Sequence, residues 1–449
     1  MKELGELRTA ARGIFDDALA AVDARRAVHD AVEFDGATLR VGGARFDLRG
    51  NASRVYSVAL GKAAAAMASA LDGRLGRALA AGVLSAPRSD FELSERWRVY
   101  EGGHPLPNAD SLAAARAAFE LLRAADDAEA LVVFLVSGGG SAMLELPRDE
   151  RLTLEELRAA NGVLVSCGAP IDEVNAVRRA LSAVKGGGLA SRAPRATQIT
   201  LVVSDVATGR AFDVASGPTL AAPPDAHDVA EIVSRYELAS KLPAAVLRAV
   251  EEAVTHGPAQ TPPEERRTFQ VLLDNERACA AAVRAARGLG FAVEFARDVV
   301  EQNVGEGAAR LVSRLASLYA REGGRAVCLI SGGEFSCPVR GGGTGGRNSE
   351  TALRVAFELE KVSEERRAGL LPKHAVALCA GTDGIDGNSP AAGALADETT
   401  NARARTRGLD ARKFLDESDA YTLFDQLGDA IITGATGTNV RDVRILLAV

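Results

Sequence analysis

The amino-acid sequence predicts an α/β protein of two domains, and three observations support that fold class. The chain has 449 residues, which is too many for one small core. Apolar runs typical of buried strands alternate with segments of helical periodicity. Several of those runs end at glycine-rich turns, as largely parallel strands do where they lead into helices. Apolar residues make up 47% and charged residues 25%, which is ordinary for a globular protein.

The first predicted domain covers residues 1–255 and repeats a strand–turn–helix pattern. It opens with an amphipathic helix whose apolar residues follow helical spacing from Leu4 to Val22. A hairpin-like stretch follows around residues 38–48. The predicted buried strands are residues 54–60, leading into Gly61 and Lys62; residues 130–136, ending at Ser137, Gly138, Gly139, Gly140 and Ser141; and residues 199–204, ending at Asp205. Ligands of such sheets bind at the carboxyl ends of the strands, so these turns are candidate binding segments.

The second predicted domain covers residues 268–449 and follows a linker. The linker, residues 256–267, contains three prolines and charged side chains without periodicity. Strands are predicted at residues 269–273, 326–330, 335–340 and 375–380. The second of these ends at Ser331, Gly332, Gly333 and Glu334, and the fourth ends at the segment GTDGIDG. The second domain therefore repeats the α/β pattern of the first.

Composition excludes several classes of partner. The net charge of −7 argues against nucleic acid and anionic membranes, which attract a basic face. Aromatic residues make up only 4% and supply few stacking platforms for bases. No apolar run approaches eighteen residues, so no membrane span is expected. Five scattered cysteines without a C-x-x-C pair indicate reduced thiols, and together with a charged N-terminus they predict a cytoplasmic protein.

The segment GGGTGGRNSE, residues 341–350, resembles a phosphate-binding P-loop without matching it. Gly341 and Gly346 keep the P-loop glycine spacing, but Arg347 replaces the lysine and Asn348 the hydroxyl residue. Glycines such as Gly345 allow close approach of the main chain to a phosphate. Unpaired N–H groups are expected at the start of the following helix, predicted over residues 349–360. A flexible hairpin tip is the alternative, but a cation in a first turn opposes the helix dipole unless an anion binds there.

Two lysines in this lysine-poor chain lie beside glycines. Lys62 follows a strand and Gly61 at the start of a helix, where it is either a solvated surface residue or a point charge for a phosphoryl group. Lys185 is predicted near the end of a helix over residues 171–190, on a polar side that also carries Asn175. Ordinary C-terminal capping by lysine and glycine is the alternative at that position.

Three carboxylates follow apolar strands and precede glycines, namely Asp205, Asp383 and Asp386. Strand-end aspartates hold Mg²⁺ in many nucleotide enzymes, whereas Asx-turn capping is the alternative. We take Asp205 and Asp383 as the metal candidates. Cations at helix starts, glycine turns and acidic strand ends together fit phosphoryl transfer, whose catalysis is mostly positioning and charge neutralisation.

Eight segments resemble the glycerate 2-kinase family, the two-domain glycerate kinases with a MOFRL C-terminal domain. They are ALGKAA, EGGHPLPN, VSGGGSAML, NAVRRALSAVKGGGLA, VSDVATGRAFDVASGPT, ISGGEFSCPVRGGGTGGRNSE, GTDGIDGNSPAAGA and TGATGTNVRD, in family order over nearly the whole chain. The resemblance implies transfer of the γ-phosphoryl group of ATP, with Mg²⁺, to the 2-hydroxyl of D-glycerate. It also implies that Lys62 and Arg347 are catalytic.

From the resemblance we expect a Rossmann-like three-layer first domain, a smaller α/β second domain and an active site in the cleft between them. The expected partners are D-glycerate and ATP, and a homodimer is left open. One rival function is that of an NAD(P)-dependent hydroxypyruvate reductase. The sequence lacks a strand leading into G-x-G-x-x-G with an acid about twenty residues on, which argues against it. A non-catalytic nucleotide-binding module is the other alternative.

Overall fold

The computed structural model describes residues 3–48, 54–220, 228–256, 263–361 and 372–449. The chain forms two compact units: Ala24–Leu272, the N-terminal unit, and Met1–Asp23 with Leu273–Val449, the C-terminal unit. Both combine helices with β-sheets, so the predicted α/β class with two domains is confirmed. Among the described residues, no helix has the length and apolar character needed to cross a bilayer.

The chain begins with helix α1 (Leu4–Ala20) and then enters the N-terminal unit. The helices there are α2 (Ala24–Ala31), α3 (Ala64–Leu75), α4 (Ala109–Asp127), α5 (Gly140–Met143), α6 (Leu154–Ser166), α7 (Ile171–Leu181), α8 (Val229–Arg235) and α9 (Ala244–His256). The strands are β1 (Val32–Phe34), β2 (Thr38–Val41), β3 (Ala44–Asp47), β4 (Val55–Leu60), β5 (Leu79–Ala86), β6 (Trp97–Glu101), β7 (Leu131–Ser137), β8 (Thr197–Val203) and β9 (Arg267–Leu273). Short 3₁₀ turns lie at Gly76–Ala78, Ala190–Arg192, Ala211–Ser216, Leu238–Ser240 and Glu264–Arg266. Strands β2 and β3 pair antiparallel, which confirms the predicted hairpin.

The main sheet of the N-terminal unit has the strand order β6-β5-β4-β7-β8-β9. The pairs β4–β5, β5–β6, β4–β7 and β7–β8 are parallel. Every residue of β7 is buried, as a strand covered by helices on both faces requires. The connection from β4 through α3 to β5 and the one from β6 through α4 to β7 run in opposite directions. Right-handed crossovers therefore place α3 and α4 on opposite faces of the sheet.

The order of connections reverses between β4 and β7. From β4 the chain proceeds outward to β5 and β6, and from β7 it proceeds outward to β8 on the other side. Such a reversal opens a crevice outside the carboxyl ends of the two strands, where ligands of doubly wound sheets bind. The turns at Gly61–Lys62 and at Ser137–Ser141 follow these two strands.

The C-terminal unit adds its own sheet. Its helices after α1 are α10 (Asn275–Gly288), α11 (Val304–Arg321), α12 (Arg347–Lys361) and the short segments Thr400–Thr406, Ala411–Asp416 and Ala420–Leu427. Its strands are β10 (Ala292–Phe295), β11 (Val327–Ser331), β12 (Ala375–Gly381), β13 (Gly393–Asp397), β14 (Ala430–Ile431) and β15 (Asp442–Ala448), in the order β10-β11-β15-β12-β13-β14. Only the β10–β11 pair is parallel among the described pairs. The expectation of largely parallel strands was therefore wrong for this sheet, because β15 inserts antiparallel between β11 and β12.

The predicted domain boundaries, 1–255 and 268–449, differ from the two units at the start of the first domain and at the start of the second. Helix α1 packs on α10, β12 and β15 of the C-terminal unit, burying Leu7, Ala11 and Ile14. Its apolar face can be buried against any matching surface, and sequence order does not decide which. Strand β9, predicted to open the second domain, extends the N-terminal sheet beside β8. The predicted linker lies partly outside the described residues, at 257–262.

Two local predictions were also wrong. Residues 335–340 form no strand beyond an isolated bridge between Asn303 and Ser336. Helix α7 ends at Leu181 rather than near residue 190, because Ser182 turns to extended backbone and pairs with Pro147. The cysteines are free of disulfides, as predicted.

Candidate active site

The turn after β4 places Lys62 at the reversal point of the N-terminal sheet. Gly61 has φ 111°, and a Cβ there would lie 2.3 Å from the Ser137 carbonyl oxygen. Only glycine therefore allows this approach to the end of β7. The Lys62 N–H donates to the Gly138 carbonyl at 2.9 Å, and the Ala63 N–H donates to the Ser137 Oγ at 3.0 Å. These bonds hold the lysine turn against the turn that follows β7.

The turn after β7 runs through Gly138 into α5, and Asp205 lies against it. A Cβ added to Gly138 would lie 1.8 Å from the Asp205 Oδ2, so the carboxyl that follows β8 reaches this glycine. The Ser141 Oγ is 3.0 Å from the Ser216 Oγ. The structure thus brings together the predicted candidates at the ends of β4, β7 and β8.

Lys185 belongs to this cluster for a reason that the sequence did not indicate. It lies beyond the end of α7, so the helix-capping alternative was wrong. Its side chain is 2% exposed, pairs with Glu145 and donates to the Ser141 carbonyl at 2.8 Å. Burial lowers the pKa of Lys185, while Glu145 acts to raise it. Glu145 escaped the sequence analysis because no turn or glycine signal surrounds it.

A cavity of about 220 Å³ lies beside this cluster in the N-terminal unit. Its walls include Gly139, Ser141, Lys185 and the turn that begins at His104. Asn175 is buried within α7 and is not among the described residues that line this cavity. Of the predicted candidates in this unit, Gly139, Ser141 and Lys185 line the cavity, whereas Asn175 does not.

In the C-terminal unit, the turn Ser331–Glu334 is held by two side chains that sequence analysis missed. Asn275, at the start of α10, accepts from the Gly333 N–H at 2.9 Å and donates to the carbonyls of Val440 and Asp442. Arg444, fully buried in β15, donates to the Gly332 carbonyl and stacks 3.5 Å from the Phe335 ring centroid. A lone arginine inside the apolar strand DVRILLA is the signal that could have identified it.

Arg347 is anchored by carboxylates of its own unit. Its Nε and Nη2 donate to the two oxygens of Asp442 at 2.7 and 3.0 Å, and its Nη1 lies 2.7 Å from Glu334. Asp442 is fully buried, whereas the Glu334 side chain is 42% exposed. Burial alone would lower the pKa of Arg347, but Asp442 and Glu334 raise it overall. The guanidinium is thus oriented by Asp442, and its Nη1 is shared with an exposed partner.

The start of α12 is capped by the protein itself, contrary to the expectation of unpaired N–H groups. The Asp386 carboxylate accepts from the N–H groups of Asn348 and Ser349 at 2.9 and 2.8 Å, and from the Ser349 Oγ at 2.6 Å. A Cβ on Gly346 would lie 2.4 Å from the Asp386 Oδ1, so glycine is required where this cap approaches. The Asn348 side chain donates to Asp442 at 3.0 Å, and its buried Oδ1 has no described partner.

A cavity of about 560 Å³ surrounds this loop within the C-terminal unit. Glu334, Gly345, Gly346 and Arg347 line it together with Phe335 and Asn388. Its volume is that of a typical small-molecule site. The glycine loop therefore borders a cavity, and it is not the tip of a hairpin, because no strand forms at residues 335–340. Phosphate binding by the loop stays a prediction.

The two metal candidates each supply a single carboxylate. Asp383 accepts from the Ile385 N–H at 3.2 Å in the turn after β12, and Asp205 lies against Gly138. Among the described residues, no cluster of three or more His, Cys, Asp or Glu side chains is arranged to hold a metal ion. Mg²⁺ in phosphoryl-transfer enzymes is held by one or two carboxylates, waters and substrate phosphates, so single carboxylates beside glycine turns fit it.

Comparisons with known proteins match both units. A family model described as a domain of unknown function, DUF4147, matches residues 10–251, and the MOFRL family model matches residues 327–442. The glycerate 2-kinase of Pyrococcus horikoshii is 33% identical, over 98% of this chain and 97% of the relative. A protein of Agrobacterium vitis, provisionally named hydroxypyruvate reductase, is 37% identical over 88% of this chain and 99% of its own length.

A solved structure agrees with the sequence relatives. The glycerate kinase of Thermotoga maritima superposes with a TM-score of 0.81 at 31% identity, over 99% of this chain and 100% of that one. Both family models and these full-length relationships agree with the motifs at the strand ends. The chain therefore belongs to the family of two-domain glycerate kinases with a MOFRL C-terminal domain.

Proposed function

We propose that this protein transfers the γ-phosphoryl group of ATP to the 2-hydroxyl of D-glycerate, giving 2-phosphoglycerate. The observation that carries the proposal is the setting of Arg347: an oriented guanidinium on a glycine loop that borders a 560 Å³ cavity. Full-length relatives named glycerate kinases support the choice of substrate. The free cysteines are in keeping with a cytosolic reaction.

In the proposed reaction, Lys62 and Arg347 act on the same phosphoryl group. Asp442 fixes the Nε and Nη2 of Arg347. Nη1, which pairs with the exposed Glu334, can then replace that carboxylate with a phosphate oxygen. A cation fixed in advance costs little reorganisation as charge develops in the transition state. Lys62 contributes a point charge from the turn after β4. A loose transition state leaves little for a general base to do.

The remaining candidates are proposed to hold the substrates in place. The turns Ser137–Ser141 and Ser331–Glu334, with Gly345 and Gly346, would let the main chain lie close to the substrates. Asn348 would act through its side chain, because its N–H group donates to Asp386. Asp205 and Asp383 would hold Mg²⁺, which when bound would neutralise charge on the β- and γ-phosphates. Asn175, which is buried in α7, stays a proposed binding residue.

Hydroxypyruvate reductase is the second candidate, because the name of the Agrobacterium vitis relative points to that activity. A coupled assay separates the possibilities. The purified chain is given ATP, Mg²⁺ and D-glycerate with ADP release measured, and separately NADH or NADPH with hydroxypyruvate. We expect D-glycerate-dependent ADP release and no oxidation of the nicotinamide. Nicotinamide oxidation without ADP release would favour the reductase, and ATP binding without either reaction would favour a non-catalytic module.

A further inference from the structure

The 220 Å³ cavity of the N-terminal unit contains a guanidinium for which the reaction scheme above has no role. Arg178, in the last turn of α7, lines this cavity together with Ser141, Glu145, Asn161 and Lys185. We propose that the cavity is the subsite for the hydroxy-acid substrate and that Arg178 binds its carboxylate. This inference rests on the proposed function and deepens it by assigning the anchor of the acid.

The charged side chains that line the cavity would be balanced by one bound anion. The Lys185 ammonium is balanced by Glu145, which also accepts from the Ser182 Oγ at 2.5 Å. Within the part of the chain that the structure describes, the Arg178 guanidinium has one side-chain hydrogen bond, from its Nε to the Asn161 Oδ1 at 2.9 Å. Among the described residues no carboxylate forms an ion pair with it. The opposite charges of Lys185 and Glu145 cancel, whereas Arg178 is always charged. The cavity therefore has a net charge of one positive unit.

The environment of Arg178 makes that charge costly without a ligand. Burial lowers the pKa of Arg178 more than the field of Glu145 raises it. A partly desolvated cation is stabilised by an anion that replaces the lost water. Because Nε is taken by Asn161, the two terminal nitrogens remain as a fork, and that fork matches the two oxygens of a carboxylate.

The size and place of the cavity agree with a three-carbon acid. A volume of 220 Å³ is below that of the pockets that hold larger ligands, about 300–1,000 Å³. Gly139, in its wall, follows Gly138, whose carbonyl accepts the Lys62 N–H. An acid held by Arg178 would therefore present its hydroxyl near the turn that carries Lys62.

Kinetics of two arginines on the same helix test the assignment. Arg178→Lys and Arg178→Ala remove the fork, whereas Arg179→Lys is the matched control, since Arg179 lies near Asp213 at 3.9 Å and is not among the described residues that line the cavity. For both Arg178 variants we expect the KM for D-glycerate to rise about 10–100-fold, the range for losing a charged hydrogen bond. The KM for ATP should stay within about twofold for all three variants.

A neutral analogue separates binding of the carboxylate from a purely structural role. D-glyceramide keeps the hydroxyls of D-glycerate but has an amide in place of the carboxylate. The preference for D-glycerate in kcat/KM should fall about 10–100-fold in Arg178→Ala, because only the acid uses the fork. Equal losses for both compounds, or an unchanged KM for D-glycerate in Arg178→Lys, would overturn the assignment.

Titration of D-glycerate without ATP keeps the two proposals distinguishable. If the unaltered protein binds D-glycerate and Arg178→Ala does not, the subsite stands even where no ADP is released, and only the kinase proposal fails. If ADP is released but both proteins bind D-glycerate equally, the subsite assignment alone fails. Should Arg178→Ala not fold, Arg178→Lys decides the question in the same titration.

Discussion

At the scale of single residues, the most informative side chain is Arg347, because its surroundings explain why a cation stands at a helix start. Asp442 binds it through both oxygens and is itself fully buried. Arg444, which lies 3.4 Å from Asp442, adds a second positive charge. The site therefore holds a preorganised cation whose position does not depend on a bound phosphate.

Replacement of Arg347 tests its proposed role in turnover. We expect Arg347→Ala to lower kcat by about 10³-fold or more, the range seen for arginines that stabilise a transferring phosphoryl group. The fold should persist, because Asn348 and Arg444 still bond Asp442. Arg340→Ala is the control, since Arg340 lies just before the glycine loop and pairs with Glu350 of α12. Steady-state kinetics decide the matter, and a near-normal kcat in Arg347→Ala would remove the residue from the mechanism.

A pH dependence is expected from Asp397, which is buried at the end of β13. Burial would raise its pKa, but bonds from Thr399 and the charges of Arg403 and Arg8 hold the pKa below its ordinary value of 3.8. A depressed folded-state pKa gives stability that is present above 3.8 and lost as the pH falls through the folded value. In urea unfolding, the stability gap between the unaltered protein and Asp397→Asn should be largest near neutral pH and narrow below pH 3.8. A gap that is constant with pH would contradict this.

At the scale of elements, α12 shows how a loop far along the chain completes a helix. Asp386 occupies the anion position that the sequence suggested for a phosphate. An acid at this position is favoured by the helix dipole and satisfies N–H groups that the helix leaves unpaired. The glycine loop and the turn after β12 are thereby tied together around Gly346.

Removal of this cap should weaken α12 selectively. Asp386→Ala leaves two buried N–H groups and one hydroxyl without their acceptor, so we expect a loss of about 1–3 kcal/mol. Asp410→Ala is the matched control, an exposed cap of the helix Ala411–Asp416, for which about 0.5–1 kcal/mol is expected. Hydrogen exchange of the α12 amides measures the effect. An equal or smaller loss in Asp386→Ala than in Asp410→Ala would show that the cap is unimportant.

At the scale of the whole molecule, the first helix belongs to the unit formed by the second half of the sequence. Arg8 of α1 pairs with Asp397 and Asp429, which also share Arg403. Both acids are almost completely buried. The helix is thus attached by charge as well as by its apolar face.

The contacts of α1 predict which unit loses stability when one of its residues is substituted. Arg8→Ala should lower the stability of the C-terminal unit by about 1–3 kcal/mol, because two buried carboxylates lose one of their two cations. Arg12→Ala, which removes an exposed pair with Asp16, should cost less than about 0.5 kcal/mol. Hydrogen exchange should show the loss in β12 and α10. Equal loosening of β4 and β7 would contradict the division into units.

Much of the fold and part of the site could be predicted because their signals are local. The strand before Gly61, the strand before Ser137 and the helix after Arg347 are contiguous patterns of apolar periodicity and glycine. The turns that follow these strands contain Lys62, and the turns and the glycine loop supply some of the residues that line the two cavities, among them Gly139, Ser141 and Arg347. Strand direction in the second sheet was not predictable, because β15 pairs with β11 and β12 from far along the chain.

The amino-acid sequence alone predicts the α/β class, the family, the turns at the strand ends and the two cations at the starts of α3 and α12. The partners of those cations and turns become visible in the folded chain. Arg347 meets Asp442 across 95 positions, Ser349 meets Asp386 across 37, and Lys185 meets Glu145 across 40. A buried charge is stabilised by a group of opposite charge or by a hydrogen-bond partner that lies close to it in the fold. Residue type alone does not specify which distant residue supplies that partner. GGGTGGRNSE thus encodes a glycine loop locally, while distant carboxylates make it an oriented arginine site.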